Sequence, residues 1–220
     1  MNEESEFSTN DENDDDNSEP QTQEIQHSQV SALVPEQVAK GAFSTGAVVL
    51  NGSHEFILDF LLRMTRPHQV VTRVVMPPAV VPQMLQALRQ NMENYQRRFG
   101  PIPTVPQPLG EQPQQPQQQQ QNVSAQDLYD QLKFPDNEMS GAYANAVMIG
   151  HSATEFSFDF ITTFFPRSVV SSRVYLTAAN VPRFVDSLQH SFDQYQKKVA
   201  EAQQKAEDQR REQDDDQQPF

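Results

Sequence analysis

The side chains best suited to chemistry in this sequence are an aspartate and an arginine that occur twice at one spacing. Asp59 precedes Arg73 by 14 residues, and Asp159 precedes Arg173 by the same number. If each pair lies on two strands joined by a hairpin, the carboxylate faces the guanidinium across the strands. We predict a structural ion pair in each repeat, because such pairs far outnumber catalytic ones. A ligand anchor is the alternative.

No second catalytic or metal-binding pattern accompanies these pairs. The five histidines occupy no equivalent positions in the two halves, and none has the HxxxH or HExxH spacing of a zinc site. The chain has no cysteine, which removes thiolate ligands and thiol nucleophiles. It also carries no phosphate-binding glycine loop and no GxSxG motif. We therefore predict a protein that is not an enzyme and uses no metal or cofactor.

Both pairs belong to a longer repeat with a period of 100 residues. The motif EFxxDF begins at Glu55 and again at Glu155, and the later VP and YQ dipeptides recur at the same offset. Two copies of one supersecondary unit are the simplest explanation of this period. We assign the first repeat to residues 34–100 and the second to residues 134–200.

Each repeat is predicted to contain three strands and one long helix. In the first repeat, residues 43–50, 54–63 and 69–76 show the alternation or the β-branched composition of strands. Residues 81–99 then carry apolar side chains at helical spacing. The expected fold class is α+β, with two β-β-β-α repeats, each an antiparallel sheet with an amphipathic helix. One such unit has a thin core, so we expect the two repeats to form a pseudo-two-fold pair.

The segments outside the repeats are polar and unevenly charged. Residues 1–33 contain ten acids and no lysine or arginine, and so carry −10 of the net charge of −14. We predict that they form a disordered acidic tail, which either only solubilises the chain or competes for a basic surface as a polyanion mimic. Residues 101–133 are a Pro/Gln-rich linker, with a short helix expected over residues 125–132. Residues 201–220 are predicted to be a charged tail in which the second helix frays.

The EFxxDF motif, the Val-rich strand with its arginine and the helix that ends in YxxxFG together resemble a small prokaryotic family. This family is catalogued as domain of unknown function 3467, and residues 54–76 and 81–100 carry the resemblance. The second repeat is a divergent copy that lacks the terminal Phe-Gly but keeps Asp159, Phe160, Arg173 and Tyr195. Family members resemble single domains, so a tandem copy implies a fused dimer. The family has no assigned activity, and the resemblance therefore implies no functional residue.

These features favour a protein-binding or assembly module of the cytoplasm, holdase-like in its most concrete form. Its partner would be another protein or a second copy of itself, and we expect no membrane contact because no run of about 18 apolar residues occurs. The candidate partner surface comprises Ile57, Leu61, Arg63, Arg66, Arg89, Arg97 and Arg98. Single-stranded nucleic acid is the less favoured alternative. It would use aromatic side chains and arginines of the mildly basic first repeat, with the acidic tails as competitors.

Overall fold

The fold consists of nine strands, four α-helices and three short 3-10 helices within residues 32–104, 125–164 and 166–216, the part of the chain that this computed structural model describes. The first half contains α1 (Glu36–Ala39), β1 (Ala42–Ser44), β2 (Gly46–Asn51), β3 (Phe56–Leu62), β4 (His68–Met76) and α2 (Val81–Phe99). The second half contains α3 (Ala125–Tyr129), β5 (Leu132–Lys133), β6 (Ala142–Tyr143), β7 (Ala146–His151), β8 (Glu155–Thr162), β9 (Val169–Thr177) and α4 (Val181–Asp216). The α+β class and the two repeats, each with a long helix, are those that the sequence predicts.

The strands form two sheets, and each sheet contains strands from both repeats. In the first sheet, β2, β3 and β4 are antiparallel neighbours, and β5 and β6 of the second half both pair in parallel with β4. In the second sheet, β7, β8 and β9 are antiparallel, and β1 of the first repeat pairs in parallel with β9. Each repeat therefore places a short strand at the edge of the other repeat's sheet.

The prediction of one strand across residues 43–50 is wrong. The chain ends β1 at Ser44 and begins β2 at Gly46, and these strands belong to different sheets. The Ser44 hydroxyl donates to a carbonyl of β9, at Tyr175, over 2.9 Å, whereas the main-chain amide of Thr45 donates to the carbonyl of Leu61 in β3 over 2.8 Å. Both halves of the segment have strand-like composition, so the pattern does not show the transfer between sheets.

The segments outside the repeats are described only in part. The acidic tail lies outside the described residues up to position 31, and so does the linker over residues 105–124. At the end of the predicted linker, α3 and β5 already belong to the fold, and β5 pairs with β4. α2 ends where Gly100 adopts a φ of 87°. α4 continues to Asp216, and the fraying of this extension stays a prediction.

The core lies between the two sheets and the two long helices, and each helix packs on the sheet of the other repeat. Tyr95 of α2 stacks on Phe156 of β8 with ring centroids 5.5 Å apart. Tyr195 of α4 contacts Phe56 of β3 edge-on, also at 5.5 Å. All four phenylalanines of the two EFxxDF motifs are fully buried. Apolar burial therefore holds the two repeats to each other rather than stabilising each one separately. None of the described helices is long and apolar enough to cross a membrane.

Candidate functional site

The first predicted ion pair is a closed, bidentate pair. Arg73 donates from Nε to Asp59 Oδ1 over 2.8 Å and from Nη2 to Oδ2 over 2.7 Å. The hydroxyl of Tyr129, in α3, donates to the same Oδ2, and the ring of Phe134 lies 4.5 Å from the Arg73 Cζ. A further bond runs from Arg73 Nη1 to the carbonyl of Met139 over 3.2 Å. The start of the second half thus covers the ion pair of the first repeat, and the Asp59 side chain has 0% exposure.

The second ion pair has the same geometry in a more open setting. Arg173 donates from Nε to Asp159 Oδ1 over 2.6 Å and from Nη2 to Oδ2 over 2.7 Å. The hydrogen bond to Asp159 raises the pKa of Arg173. The Asp159 side chain remains 17% exposed, and among the described residues no tyrosine hydroxyl bonds to it.

Both pairs favour the structural interpretation over a catalytic or ligand-anchoring one. Each carboxylate accepts from its own arginine with both oxygens, the bidentate geometry of a structural ion pair. Among the residues that the structure describes, no three His, Asp or Glu side chains lie together as metal ligands would. The sequence alone does not reveal the role of Tyr129, because 70 residues separate it from Asp59.

The phenol of Tyr129 should give the protein a pH dependence in the alkaline range. Burial, and after it the hydrogen bond to Asp59, raises the pKa of Tyr129 above its ordinary value of 10.0. A group with a raised folded-state pKa contributes fully below its unfolded pKa and loses that contribution as pH rises toward the folded value. The stability difference between wild type and Tyr129→Phe should thus be constant from about pH 7 to pH 9 and shrink above about pH 10. Urea denaturation across this range measures it, and a constant difference up to about pH 11 would contradict the assignment.

Leu61 does not belong to a partner surface, and its assignment there is wrong. Its exposure is 2%, because the register of β3 against β4 shifts between Phe60 and Leu61. Phe60 pairs with Thr72 and Leu61 with Val70, two residues on the same face of β4, so both β3 side chains point inward. Strict alternation of side chains along β3 predicts Leu61 on the outer face of the sheet, because that pattern does not include the bulge. Ile57, which precedes the bulge, is half-buried.

The arginines of the candidate partner surface fall into two groups. On α2, Arg89 donates to Gln189 Oε1 of α4 over 2.6 Å, Arg98 lies 5.1 Å from the Phe99 ring centroid, and Arg97 bonds within its own helix. All three residues nevertheless remain exposed. Arg63 and Arg66 follow β3 and are exposed in the hairpin loop.

A groove that the sequence does not indicate runs along the outer edge of β2. Its volume is about 760 Å³, and five consecutive residues of β2, Ala47 to Asn51, line one wall. The other wall belongs to α4 and consists of Asp186, Ser187, His190, Ser191, Gln194 and Lys198. Successive side chains of a strand point to opposite faces, so a cavity that contacts all five lies along the strand's edge. Within the described residues, β2 pairs only with β3, and this edge has no strand partner.

The hydrogen bonds of the β2–β3 hairpin show which main-chain groups face the groove. The amide of Gly52 donates to the carbonyl of Glu55 over 2.8 Å, so residues 52 and 55 form a hydrogen-bonded pair. Hydrogen-bonded and non-hydrogen-bonded pairs alternate along an antiparallel ladder. The amides of Leu50 and Val48 therefore point toward β3, and those of Val49 and Ala47 point into the groove. The edge of β2 thus offers donors and acceptors at the spacing that another strand needs.

Comparison with known proteins places both copies of the repeat in one family. The model of a family described as "Protein of unknown function (DUF3467)" matches residues 10–104 and again residues 110–204. Together these matches cover well over half of the chain. The chain belongs to the DUF3467 family. No curated protein and no solved structure matches it significantly. The exchanged strands and helices described above therefore connect two DUF3467 copies in one chain, and the family description assigns them no activity.

Proposed function

We propose that this tandem DUF3467 protein is a binding module that takes up an extended segment of a protein partner along β2. The observation that supports this proposal is the unpaired edge of β2 beside a groove of about 760 Å³. A peptide strand lies about 4.7–4.9 Å from the strand with which it pairs, and main-chain hydrogen bonds supply much of its affinity. The polar wall of α4 would contact the side chains of that peptide and so select among sequences.

The two repeats would act as a pseudo-two-fold pair. Several contacts between them join positions that are equivalent at the 100-residue offset. The hydroxyls of Thr72 and Ser172 lie 3.4 Å apart. Asn51 donates to the Ser191 hydroxyl over 2.8 Å, and at the offset positions a nitrogen of His151 lies 3.2 Å from Asn91 Oδ1. In this arrangement, β7 and α2 correspond to β2 and α4. The edge of β7 is therefore the matched control for experiments on the edge of β2.

A single-stranded nucleic acid finds less support in the described residues. Stacking of bases needs exposed aromatic faces on the sheet. Phe56, Phe60, Phe156 and Phe160 all have 0% exposure, so stacking would depend on Phe43, Tyr143 and Phe164, which are exposed but lie outside the EFxxDF motifs. A polypeptide is favoured because the open part of the sheet is its main-chain edge. The cytoplasmic location stays a prediction.

Selection of peptides from a random displayed library on the immobilised full chain tests this function. Binding of the selected peptides should fall about tenfold or more in Val49→Pro, which removes an amide that faces the groove and none that pairs with β3. Ile149→Pro makes the equivalent change on β7 and should leave binding within about twofold.

The Val49 side chain also packs on the core, so Val49→Pro also disturbs the fold. A second readout therefore separates lost binding from lost folding. Methylating the selected peptide at alternate main-chain nitrogens should weaken binding only at the positions that face β2. Equal losses in the two proline variants, or insensitivity to every methyl group, would refute the β2 edge as the binding site.

A further inference from the structure

The α4 wall of the β2 groove carries a row of side chains with an acid at one end and a base at the other. Asp186, His190, Gln194 and Lys198 all line the groove and follow one another at intervals of four residues. Residues at this interval are neighbours on one face of a helix. At a rise of 1.5 Å per residue, the two ends of the row are about 18 Å apart along α4. The wall therefore has a charge polarity along the groove.

Contacts of α4 with the first sheet show which charge lies at which end of β2. Near the start of α4, the ring centroid of Phe184 lies 5.6 Å from that of Phe60, which pairs with Ala47. Further along the helix, Lys198 Nζ donates to Asn51 Oδ1 over 3.1 Å. α4 thus runs in the same direction as β2. The acid, two residues after Phe184, lies toward Ala47, and the base lies toward Asn51.

Both end charges are available to a ligand. Within the described residues, no ion pair includes Asp186 or Lys198, and the Asp186 carboxylate accepts no hydrogen bond. The Lys198 ammonium has three donors, and its bond to Asn51 uses one of them. Both side chains are exposed, so a peptide in the groove can reach them without a change in the core.

We propose that the groove selects an extended segment that pairs antiparallel to β2 and carries an acid followed, four or six residues later, by a lysine or arginine. Antiparallel pairing is the more stable arrangement, and it places the first part of the segment beside Asn51 and the later part beside Ala47. The acid of the segment then meets Lys198, and its base meets Asp186. The inference rests on the proposed function and adds the charge order of the ligand.

The separation of four or six residues follows from the geometry of a strand. Side chains that point to the same face recur at every second residue, and each residue advances the chain by about 3.3 Å. Separations of four and six residues therefore correspond to about 13 and 20 Å. These distances bracket the length of the charged row on α4, and long side chains make up the difference.

The equivalent row on α2 lacks this polarity. Gln86, Gln90 and Asn94 occupy the positions equivalent to the first three members of the row, and Arg98 occupies that of Lys198. This row has a base at one end and no acid at the other. The groove beside β2 thus differs in charge from the corresponding place beside β7, which supplies a matched control within the chain.

Two synthetic peptides of identical composition test the inference on the full chain. One is a selected sequence with the acid first, and the other has its acid and base exchanged. The first should bind wild type about tenfold more tightly at low salt, because the exchange converts two attractions into two repulsions. The preference should invert in Asp186→Lys/Lys198→Glu and should be unchanged in Gln86→Lys/Arg98→Glu. Sodium chloride at about 0.5 M should reduce it to about twofold, because salt screens exposed charges.

Hydrogen exchange at the β2 amides separates failure of this inference from failure of the proposed function. Peptides that protect these amides but bind equally in both charge orders would overturn the charge selection and leave the β2 edge as the binding site. A preference of wild type for the base first, or a preference that does not invert in Asp186→Lys/Lys198→Glu, would also overturn it. Selected peptides that protect no amide of β2 would overturn both proposals.

Discussion

Asp59→Ala should lower the free energy of unfolding by about 3–5 kcal/mol, a large part of the stability of an ordinary domain. The substitution leaves the Arg73 guanidinium and the Tyr129 hydroxyl without their acceptor under the covering segment of the second half. Asp159→Ala should cost less than half as much. The Asp159 side chain is 17% exposed, and water can solvate the released Arg173, whose side chain is 23% exposed. Urea denaturation of the two variants at neutral pH measures the difference.

The double variant Asp59→Leu/Arg73→Met is the control for this comparison. Replacing both partners of a buried ion pair by apolar residues of similar volume is often nearly neutral, so most of the lost stability should return. If Asp59→Ala and Asp159→Ala are equally destabilising, the covering by Tyr129 and Phe134 contributes nothing. That result would contradict the energetic difference assigned to the two pairs.

Cleavage of the chain between residues 105 and 124 should leave the two halves folded and associated, whereas residues 1–104 alone should not form a folded monomer. The helix that packs on Phe56 belongs to the second half, and the sheet on which Tyr95 packs does too. Each large apolar side chain that loses its cover costs about 1.5–3 kcal/mol. Several such losses exceed the 5–15 kcal/mol that ordinarily stabilises a domain.

An inserted protease site tests this expectation, with light scattering for mass and circular dichroism for folding. The first half alone should be unfolded or should pair with a second copy of itself, because the two repeats are copies of one domain. An uncleaved chain with the same inserted site is the control. A folded, monomeric first half would show that the exchanged strands and helices are dispensable.

The local parts of the fold follow from the sequence because their causes are local. The spacing of Asp59 and Arg73 sets the hairpin register, and the structure has Asp59 opposite Arg73. The apolar stripe from Val81 to Phe99 and the glycine after it define α2 with the bounds that the structure shows. The repeat period likewise shows directly that the unit occurs twice.

The parts that the sequence does not reveal depend on which sheet a segment joins. The exchange of β1 and β6 leaves no mark in composition, since a strand has the same alternation in either sheet. The bulge opposite Phe60 and Leu61 leaves Val71 of β4 without a pairing partner and turns Leu61 inward, which alternation alone cannot show. The β2 groove depends on strand order.

Hydrogen exchange at the edge of β2, followed by NMR on the full chain, tests the proposed site most directly. In the free protein, the amides of Ala47 and Val49 should exchange at least about 100-fold faster than those of Val48 and Leu50, which bond to β3. A selected peptide should slow the two fast amides and leave Ile149 of β7 unchanged. Equal protection of all four amides in the free chain, or no added protection on peptide binding, would contradict the β2 edge as a peptide-binding site.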